Sequence, residues 1–252
     1  ETAQFLNQGN PFSLGQAAID GFTISGSKAG GGIFAVSGAG GLKISNNNIT
    51  GNQGNFAGGI VLGTPASGVS EDVHENSLNS GIVISHNKVH RNGGIQGSGG
   101  IALNEGSEGY LVDGNIIAGN FGRFNGGGIQ HQGLSLGDNV ISNNRIIFNE
   151  VFFGIPVATA GDGAGIFIGG NAAGGTGSGS VTIDGNLIQG NMSGAGNGGG
   201  IRAFAVNGDD LRVSPVTSDS SWYRLNIFNN IIVNNIAGLS GAGISLQDVA
   251  RA

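Results

Sequence analysis

The 252-residue chain has no cysteine, only 4 prolines and only 10 % charged residues. Without cysteine, this segment can hold no disulfide, catalytic thiol, thiolate-bound metal or c-type haem. The 10 Lys and Arg are scattered singly and the formal net charge is −6, so no basic stripe is available to neutralise nucleic-acid phosphates. From the missing basic stripe we predict no nucleic-acid partner. No run of 18 apolar residues occurs, so we also predict no membrane-spanning helix.

Glycine, in contrast, is abundant, with 53 copies. A disordered linker is excluded because Ile, Val, Leu and Phe are too frequent and too regularly placed. Collagen is excluded because glycine does not occupy every third position. We therefore expect glycine to serve tight turns and positive φ angles at fixed points of a repeat.

Two short patterns alternate along the chain. The first is an apolar pair, a turn and then Asn-x-Ile-x-x-Asn, with degenerate members. It reads AIDGFTISGS at 18–27, LKISNNNITGN at 42–52, IVISHNKVHRN at 82–92, YLVDGNIIAGN at 110–120, NVISNNRIIFN at 139–149, VTIDGNLIQGN at 181–191 and LNIFNNIIVNN at 225–235. The second is a glycine cluster before a short apolar strand, as in GGIAL at 99–103 and GGGIRAF at 198–204. Each unit thus holds two or three short strands with alternating apolar residues, separated by sharp turns.

The distance between repeats indicates stacked coils. Subtracting the numbers of neighbouring equivalent asparagines, from Asn47 to Asn230, gives steps of 40, 28, 29, 42 and 44 residues. A bare coil of about 28 residues cannot bury its apolar face alone, but a stack of coils buries a continuous core. We therefore predict an all-β fold, a right-handed single-stranded parallel β-helix of about seven coils that forms one domain over residues 1–252.

Asparagine recurs at two positions of every coil after the first. Stacked amides can hydrogen-bond to the coils above and below, and asparagine tolerates the left-handed backbone of a corner. We predict two structural asparagine ladders in preference to a functional role. One comprises Asn47, Asn87, Asn115, Asn144, Asn186 and Asn230, and the other Asn52, Asn92, Asn120, Asn149, Asn191 and Asn235.

The two patterns together resemble a known repeat. Ile-x-x-Asn followed by Gly-Gly-(Gly/Ala)-Ile is similar to the parallel β-helix repeats of secreted bacterial proteins. It resembles the FxxN and GGAI repeats of chlamydial polymorphic outer-membrane proteins, with Ile or Val in place of Phe, over roughly residues 18–246. The resemblance implies a secreted or cell-surface β-helix. It does not specify an activity, because the same repeat occurs in polysaccharide lyases, tailspikes, adhesins and surface-layer proteins.

Loop insertions are the expected binding regions of a solenoid. The sequence predicts them near 64–80, 150–162, 170–180 and 205–224. The last contains Asp209 and Asp210 and ends in Trp222 and Tyr223. These aromatic side chains can either stack on a sugar ring or cover the flank of the solenoid, and we name the four residues as a candidate binding site.

One alternative is a polysaccharide-active enzyme of the pectate-lyase-like superfamily. Its catalytic set would need clustered carboxylates with a basic residue. The repeated turns carry Asp20, Asp113 and Asp184, and the basic candidates are Arg123, Arg145 and Arg202. The two closest of these aspartates lie two coils apart, about 9.6 Å by strand spacing, and each precedes a glycine as in an Asp-Gly turn. We therefore predict no catalytic residue, although the enzyme alternative stays open.

A metal-binding surface protein is the other alternative. His131 stands at an inward, otherwise apolar position, so it needs either a hydrogen-bond partner or a metal. His74 lies in the acidic stretch EDVHE, and His86 follows on the next strand. These three histidines are the candidate ligands of a divalent metal, the only cofactor that the sequence suggests, although their spacing matches no established ligand signature.

The function expected from these features is structural. We predict an extracellular β-solenoid, such as an adhesin, sheath or assembly subunit, that presents loop faces to partners, carbohydrate among them. Because solenoid ends expose unpaired strand edges, we also expect the chain to be a segment of a longer protein, or to meet other subunits or coils end-on.

Overall fold

The computed structural model describes residues 17–63, 77–152, 161–170, 177–207 and 222–249. In these ranges the chain forms 27 β-strands of two to four residues and no helix. Strands that are neighbours in a sheet come from successive coils and run parallel, as β12 and β16 do, in register from Leu111 opposite Val140 to Asp113 opposite Ser142. The short strands follow from the sequence, because a glycine or an asparagine with positive φ ends most of the short apolar runs.

The strands form four sheets. Sheet 1 contains β1 (Ala18–Asp20), β4 (Lys43–Ser45), β8 (Val83–Ser85), β12 (Leu111–Asp113), β16 (Asn139–Ser142), β20 (Val181–Asp184) and β24 (Leu225–Phe228). Sheet 2 contains β2 (Thr23–Ser25), β5 (Asn48–Thr50), β9 (Lys88–His90), β13 (Ile116–Ala118), β17 (Arg145–Ile147), β21 (Leu187–Gln189) and β25 (Ile231–Val233). Sheet 3 contains β6 (Gln53–Gly54), β10 (Gly93–Gly94), β14 (Phe121–Gly122), β18 (Glu150–Val151), β22 (Met192–Ser193) and β26 (Ile236–Ala237). Sheet 4 contains β3 (Ile33–Ala35), β7 (Ile60–Leu62), β11 (Ile101–Asn104), β15 (Ile129–Gln132), β19 (Ile166–Gly169), β23 (Ile201–Phe204) and β27 (Ile244–Gln247).

The chain passes through sheets 1 to 4 in turn and then starts the next coil, so the fold is a parallel β-helix of seven coils. The predicted fold class is confirmed. The expectation of two or three strands per coil was wrong, because coils two to seven each add a two-residue strand in sheet 3. Pairs such as Gly93–Gly94 carry no apolar alternation, so only their hydrogen bonds to neighbouring coils mark them as strands.

Columns of apolar side chains fill the interior. Sheets 1 and 2 each point one residue per strand inward, such as Ile141 and Ile146, and sheet 4 points two. Because the coils are in register, each inward residue packs on its equivalents above and below, for example Val112 on Ile141. Most of these side chains have no solvent exposure, so one continuous core runs through the stack.

Both predicted asparagine ladders are present at the corners that flank sheet 2. Asn144 is typical of them. Its Nδ2 donates to Asn186 Oδ1 in the next coil at 3.0 Å and to the Val112 carbonyl in the previous coil at 2.9 Å. Its Oδ1 accepts from both the backbone N–H and the Nδ2 of Asn115, at 2.9 and 3.0 Å. The second ladder repeats this arrangement, as at Asn149. Each amide therefore binds the coil on either side.

The last glycine of each cluster meets the backbone of the next coil. A Cβ placed on Gly128 would lie 2.6 Å from the Gly165 carbonyl oxygen, and a Cβ on Gly165 would be as close to a carbonyl of the coil after that. These glycines are therefore needed for the close approach of two backbones as well as for turns, which extends the role expected from the sequence.

The strand boundaries locate the predicted insertions. Three of them (64–80, 170–180 and 205–224) fall between a sheet 4 strand and the next sheet 1 strand, so they share one corner of the solenoid. The fourth falls between sheets 3 and 4, and its predicted start at residue 150 was too early, because Glu150–Val151 is β18. Residues 64–76, 153–160, 171–176 and 208–221 lie outside the described ranges.

We expect Asn144→Asp to lower the free energy of unfolding by about 3 kcal/mol or more, because the Val112 carbonyl and Asn186 Oδ1 each lose one donor and a charge is buried. Urea unfolding followed by circular dichroism measures this change. The control is Asn226→Asp, the same change at an outward position of β24, which should stay within about 0.5 kcal/mol of the unmodified chain. Equal losses in the two variants would contradict the structural role of the ladder.

Gly128→Ala should lower the free energy of unfolding by about 2 kcal/mol, because the backbone of the next coil must move away from the new methyl group. Gly243→Ala is the matched control, since it occupies the same column in coil seven, where a Cβ would have nothing nearer than Ile232 at 3.7 Å. Thermal unfolding of the two variants compares them directly, and an equal effect would disprove the close-approach explanation.

Candidate functional site

The aspartates considered for catalysis lie at the corner between sheets 1 and 2. Asp113 ends β12 and precedes Gly114, whose φ is 64°. Its Oδ1 accepts hydrogen bonds from Ser142 Oγ and Asn143 Nδ2 of the next coil, both at 2.8 Å. Each aspartate of this set therefore turns the chain and binds the following coil.

Asp20 and Asp184 occupy the same position in other coils. Asp20 accepts from Ser45 and Asn46, and these two hydrogen bonds hold the pKa of its carboxyl below the usual value. Asp184 accepts from Asn229 Nδ2 at 2.9 Å. Ser142 lies between Asp113 and Asp184 in the register, so two coil steps separate the closest pair, as the sequence predicted.

The three arginines named with these aspartates lie on three different sides of the coil. Arg145 is exposed at the start of β17 in sheet 2. Arg123 follows β14 of sheet 3 and lies over the Phe124 ring, 5.2 Å from its centroid. Arg202 points outward from β23 of sheet 4 but is buried. Among the described residues, no ion pair joins one of these aspartates to one of these arginines.

Arg202 belongs to a polar network that the sequence did not reveal. Its Nη1 and Nη2 donate to Ser245 Oγ at 2.9 Å and to Gln247 Oε1 at 2.6 Å, both in coil seven. Its Nε lies 3.4 Å from Asp162 Oδ2 of coil five. Asp162 in turn accepts from the Asn197 N–H at 2.6 Å. This network ties three coils together on the outer face of sheet 4.

A sequence signal for this network was available. Asn125, Asp162, Asn197 and Ser240 each stand directly before a glycine cluster. Their side chains form a further inter-coil chain of hydrogen bonds, from Asp162 N–H to Asn125 Oδ1 and from Ser240 Oγ to Asn197 Oδ1. Starting the second repeat pattern one residue earlier would have identified it.

His131 is fully buried, and both of its ring nitrogens have partners. Nε2 lies 2.8 Å from the Ser178 carbonyl oxygen, so Nε2 carries the proton and donates. Nδ1 is therefore the acceptor for the Tyr110 hydroxyl, at 2.7 Å. Burial away from water lowers the pKa of His131 to about 4 and raises that of Tyr110. In this neutral tautomer no ring lone pair is left to bind a metal.

The other two candidate metal ligands lie elsewhere. His86 is exposed at the corner between β8 and β9, where its φ of 57° matches the positive φ of Asn46 and Asn143 in the same column. Histidine is one of the residues that tolerate this conformation. His74 lies outside the described residues. Within the described ranges, no three His, Asp or Glu side chains are close enough to hold a metal ion.

The aromatic pair of the last insertion packs against the solenoid. Tyr223 is partly buried against the core, where burial raises its pKa, and its backbone N–H donates to Asn207 Oδ1 at 2.6 Å. Trp222 is half-buried beside it. Asp209 and Asp210 lie outside the described residues. Of the two alternatives for this pair, the geometry of Tyr223 favours covering the flank.

Comparison with known proteins agrees with the fold. A family model described as a right-handed β-helix region matches residues 15–211. The chain belongs to the right-handed β-helix family. No curated protein and no solved structure matches it.

In this β-helix, the residue types that chemistry would require are largely used to hold the coils together. The Asp-Gly corners, Arg202 and His131 all make hydrogen bonds between coils or between sheets. None of the described segments is a helix that is long and apolar enough to cross a membrane. Of the insertions predicted as binding regions, three interrupt the connection from sheet 4 to sheet 1 and one interrupts the connection from sheet 3 to sheet 4.

The buried histidine should make the stability of this β-helix depend on pH. The folded pKa of about 4 is below the unfolded value of 6.5, so the unfolded chain binds the proton first as the pH falls. The contribution of His131 is thus complete above pH 6.5 and is lost as the pH falls towards 4. The shift corresponds to a loss on the order of 3 kcal/mol.

The double variant Tyr110→Phe/His131→Leu tests this contribution, because replacing both partners by apolar groups leaves no buried hydroxyl unpaired. Urea unfolding at several pH values between 4 and 7 should show a weaker pH dependence in the double variant than in the unmodified chain. If both show the same slope, His131 does not titrate as inferred.

Proposed function

We propose that this chain is an extracellular structural and adhesive β-solenoid, which presents its inserted loops to partners at a cell surface, in a sheath or in an assembly scaffold. The observation that carries the proposal is the use of polar side chains along the stack. Asp113, Arg202 and His131 all bind other parts of the scaffold, and an arrangement of this kind favours a rigid support over a catalytic groove.

The position of the insertions supports a presenting role. Because three of them interrupt the same connection, from sheet 4 to sheet 1, the rigid stack sets them along one side. Successive coils in a sheet lie about 4.8 Å apart, so loops from coils two, five and six would be spaced over roughly 20 Å. A partner could therefore contact several loops at once.

The extracellular location is proposed from the repeat. Its similarity to secreted bacterial β-helix proteins, and to chlamydial polymorphic outer-membrane proteins in particular, suggests a place on the cell surface. The inter-coil amides close the solenoid by hydrogen bonds, so the fold needs no disulfide in any redox compartment.

We expect an antibody against the chain to label intact source cells, and external protease to remove that label while a cytosolic marker is retained. In parallel, the purified chain should release no unsaturated sugar from acidic polysaccharides in the presence of calcium. Absorbance of the unsaturated product near 235 nm would measure such release.

The two measurements reject different parts of the proposal. A label that appears only after the cells are lysed would contradict the surface location. Calcium-dependent release of unsaturated sugar would instead favour the polysaccharide-active enzyme. Asp113→Asn and Arg145→Ala are the variants to compare in that case, since loss of release in either would locate the reaction on the surface of coils four and five.

A further inference from the structure

The last described coil carries a glycine that its own surroundings do not require. Gly59, Gly100, Gly128, Gly165 and Gly200 each face a carbonyl oxygen of the next coil, which leaves no room for a Cβ. Gly243 is their equivalent in coil seven, and a Cβ there would have nothing nearer than 3.7 Å among the described residues. Position 243 is therefore glycine although no described coil approaches it closely enough to exclude a Cβ.

The two asparagine ladders also reach this edge incomplete. In earlier coils, the backbone N–H of each ladder asparagine donates to the amide oxygen of the next one, as from Asn186 to Asn230 at 2.8 Å. Asn230 and Asn235 accept such bonds from coil six. Within the described part of the chain, their own backbone N–H groups have no equivalent amide oxygen to donate to. Each ladder therefore ends in a backbone N–H that could donate to the amide oxygen of one more asparagine.

The apolar columns are also incompletely covered at this edge. Ile244 and Leu246 are the inward residues of β27, and they are 40 % and 46 % exposed. Their neighbours in coil six, Ile201 and Ala203, are 0 % exposed, because coil seven covers them. A further coil would bury Ile244 and Leu246 in the same way.

The opposite end differs in its chemistry. In the first described coil, Phe22 and Ser27 stand at the two ladder positions, where their N–H groups donate to Asn47 and Asn52. Neither side chain has an amide oxygen. If a second copy of the chain stacked its first coil on this edge, Phe22 would face the N–H of Asn230 and could not accept from it.

We propose that the free edge of coil seven is a docking edge for a further parallel β-coil with asparagine at both corner positions, and not for the first coil of a second copy. The inference takes up the expectation that the stack meets further coils end-on, and its biological meaning rests on the proposed scaffold function. The partner is recognised by two amide oxygens and by a backbone that approaches Gly243 closely.

The test adds a coil of known sequence. A copy of residues 105–132, a coil without insertion, is inserted between Gln247 and Asp248 of the full chain, with Tyr110→Phe and His131→Leu in the copy. The added coil supplies the equivalents of Asn115 and Asn120 to the edge. We expect backbone amide hydrogen exchange at Asn230 and Asn235 to slow by about tenfold or more. A tenfold change corresponds to one additional hydrogen bond of about 1.4 kcal/mol.

The matched control carries Asn115→Phe and Asn120→Ser in the added copy, which reproduces the corner residues of the first coil. Exchange at Asn230 and Asn235 should then stay within about threefold of the unmodified chain. Equal protection by both inserts would overturn the asparagine requirement, and protection by neither would overturn the docking edge itself.

Two further measurements complete the test. Gly243→Ala, expected to be neutral in the unmodified chain, should lower the melting temperature of the extended chain, and no effect there would contradict close approach at this edge. Sedimentation of the unmodified chain should show no end-to-end polymers, whereas polymers that Gly243→Leu disperses would identify a second copy as the occupant. All these readouts are independent of cell-surface labelling and lyase activity, so the proposed function and this inference can fail separately.

Discussion

The hydrogen bond between asparagine side chains of successive coils is the interaction on which this structure depends. An amide offers donors and an acceptor on one short side chain, so it can bind the coil before and the coil after at the same time. At Asn144 it also donates to the buried backbone carbonyl of Val112 in the previous coil. The repeat of this bond fixes the register of all four sheets, and the apolar columns can then pack without slipping.

This constraint explains why several polar residues on the walls of the solenoid bind neighbouring coils. A side chain at a corner is next to its equivalents about 4.8 Å away, so any Ser, Asn, Asp or Arg there readily finds a partner in the stack. Asp113 binds Ser142, and Arg202 binds Ser245. The proposed presenting role therefore rests on the places where the repeat is interrupted, namely the inserted loops.

The same repeat also makes the two ends chemically different. Each coil donates its ladder N–H groups in one direction along the stack, so the chain has a donor edge at coil seven and an acceptor position at coil one. In the first described coil, Phe22 has no acceptor and Ser27 has a hydroxyl in place of the amide, while Gly243, Asn230 and Asn235 keep the last described coil compatible with a further coil.

The sequence by itself determined the fold, the number of coils and both asparagine ladders, because each depends on residues that recur at a constant place in a short repeat. It also favoured Asp-Gly turns over catalysis at Asp113. Only the tertiary structure decided the partners of His131, because Tyr110 and Ser178 come from other coil segments and share no pattern with it. The strands of sheet 3 and the pairing of Arg202 with Asp162 were likewise settled by contacts between coils, since two-residue strands leave no periodic signal and Arg202 has no charged equivalent in the other described coils. Periodicity in the sequence reveals the residues that every coil requires, whereas a contact that occurs only once is visible only in the folded structure.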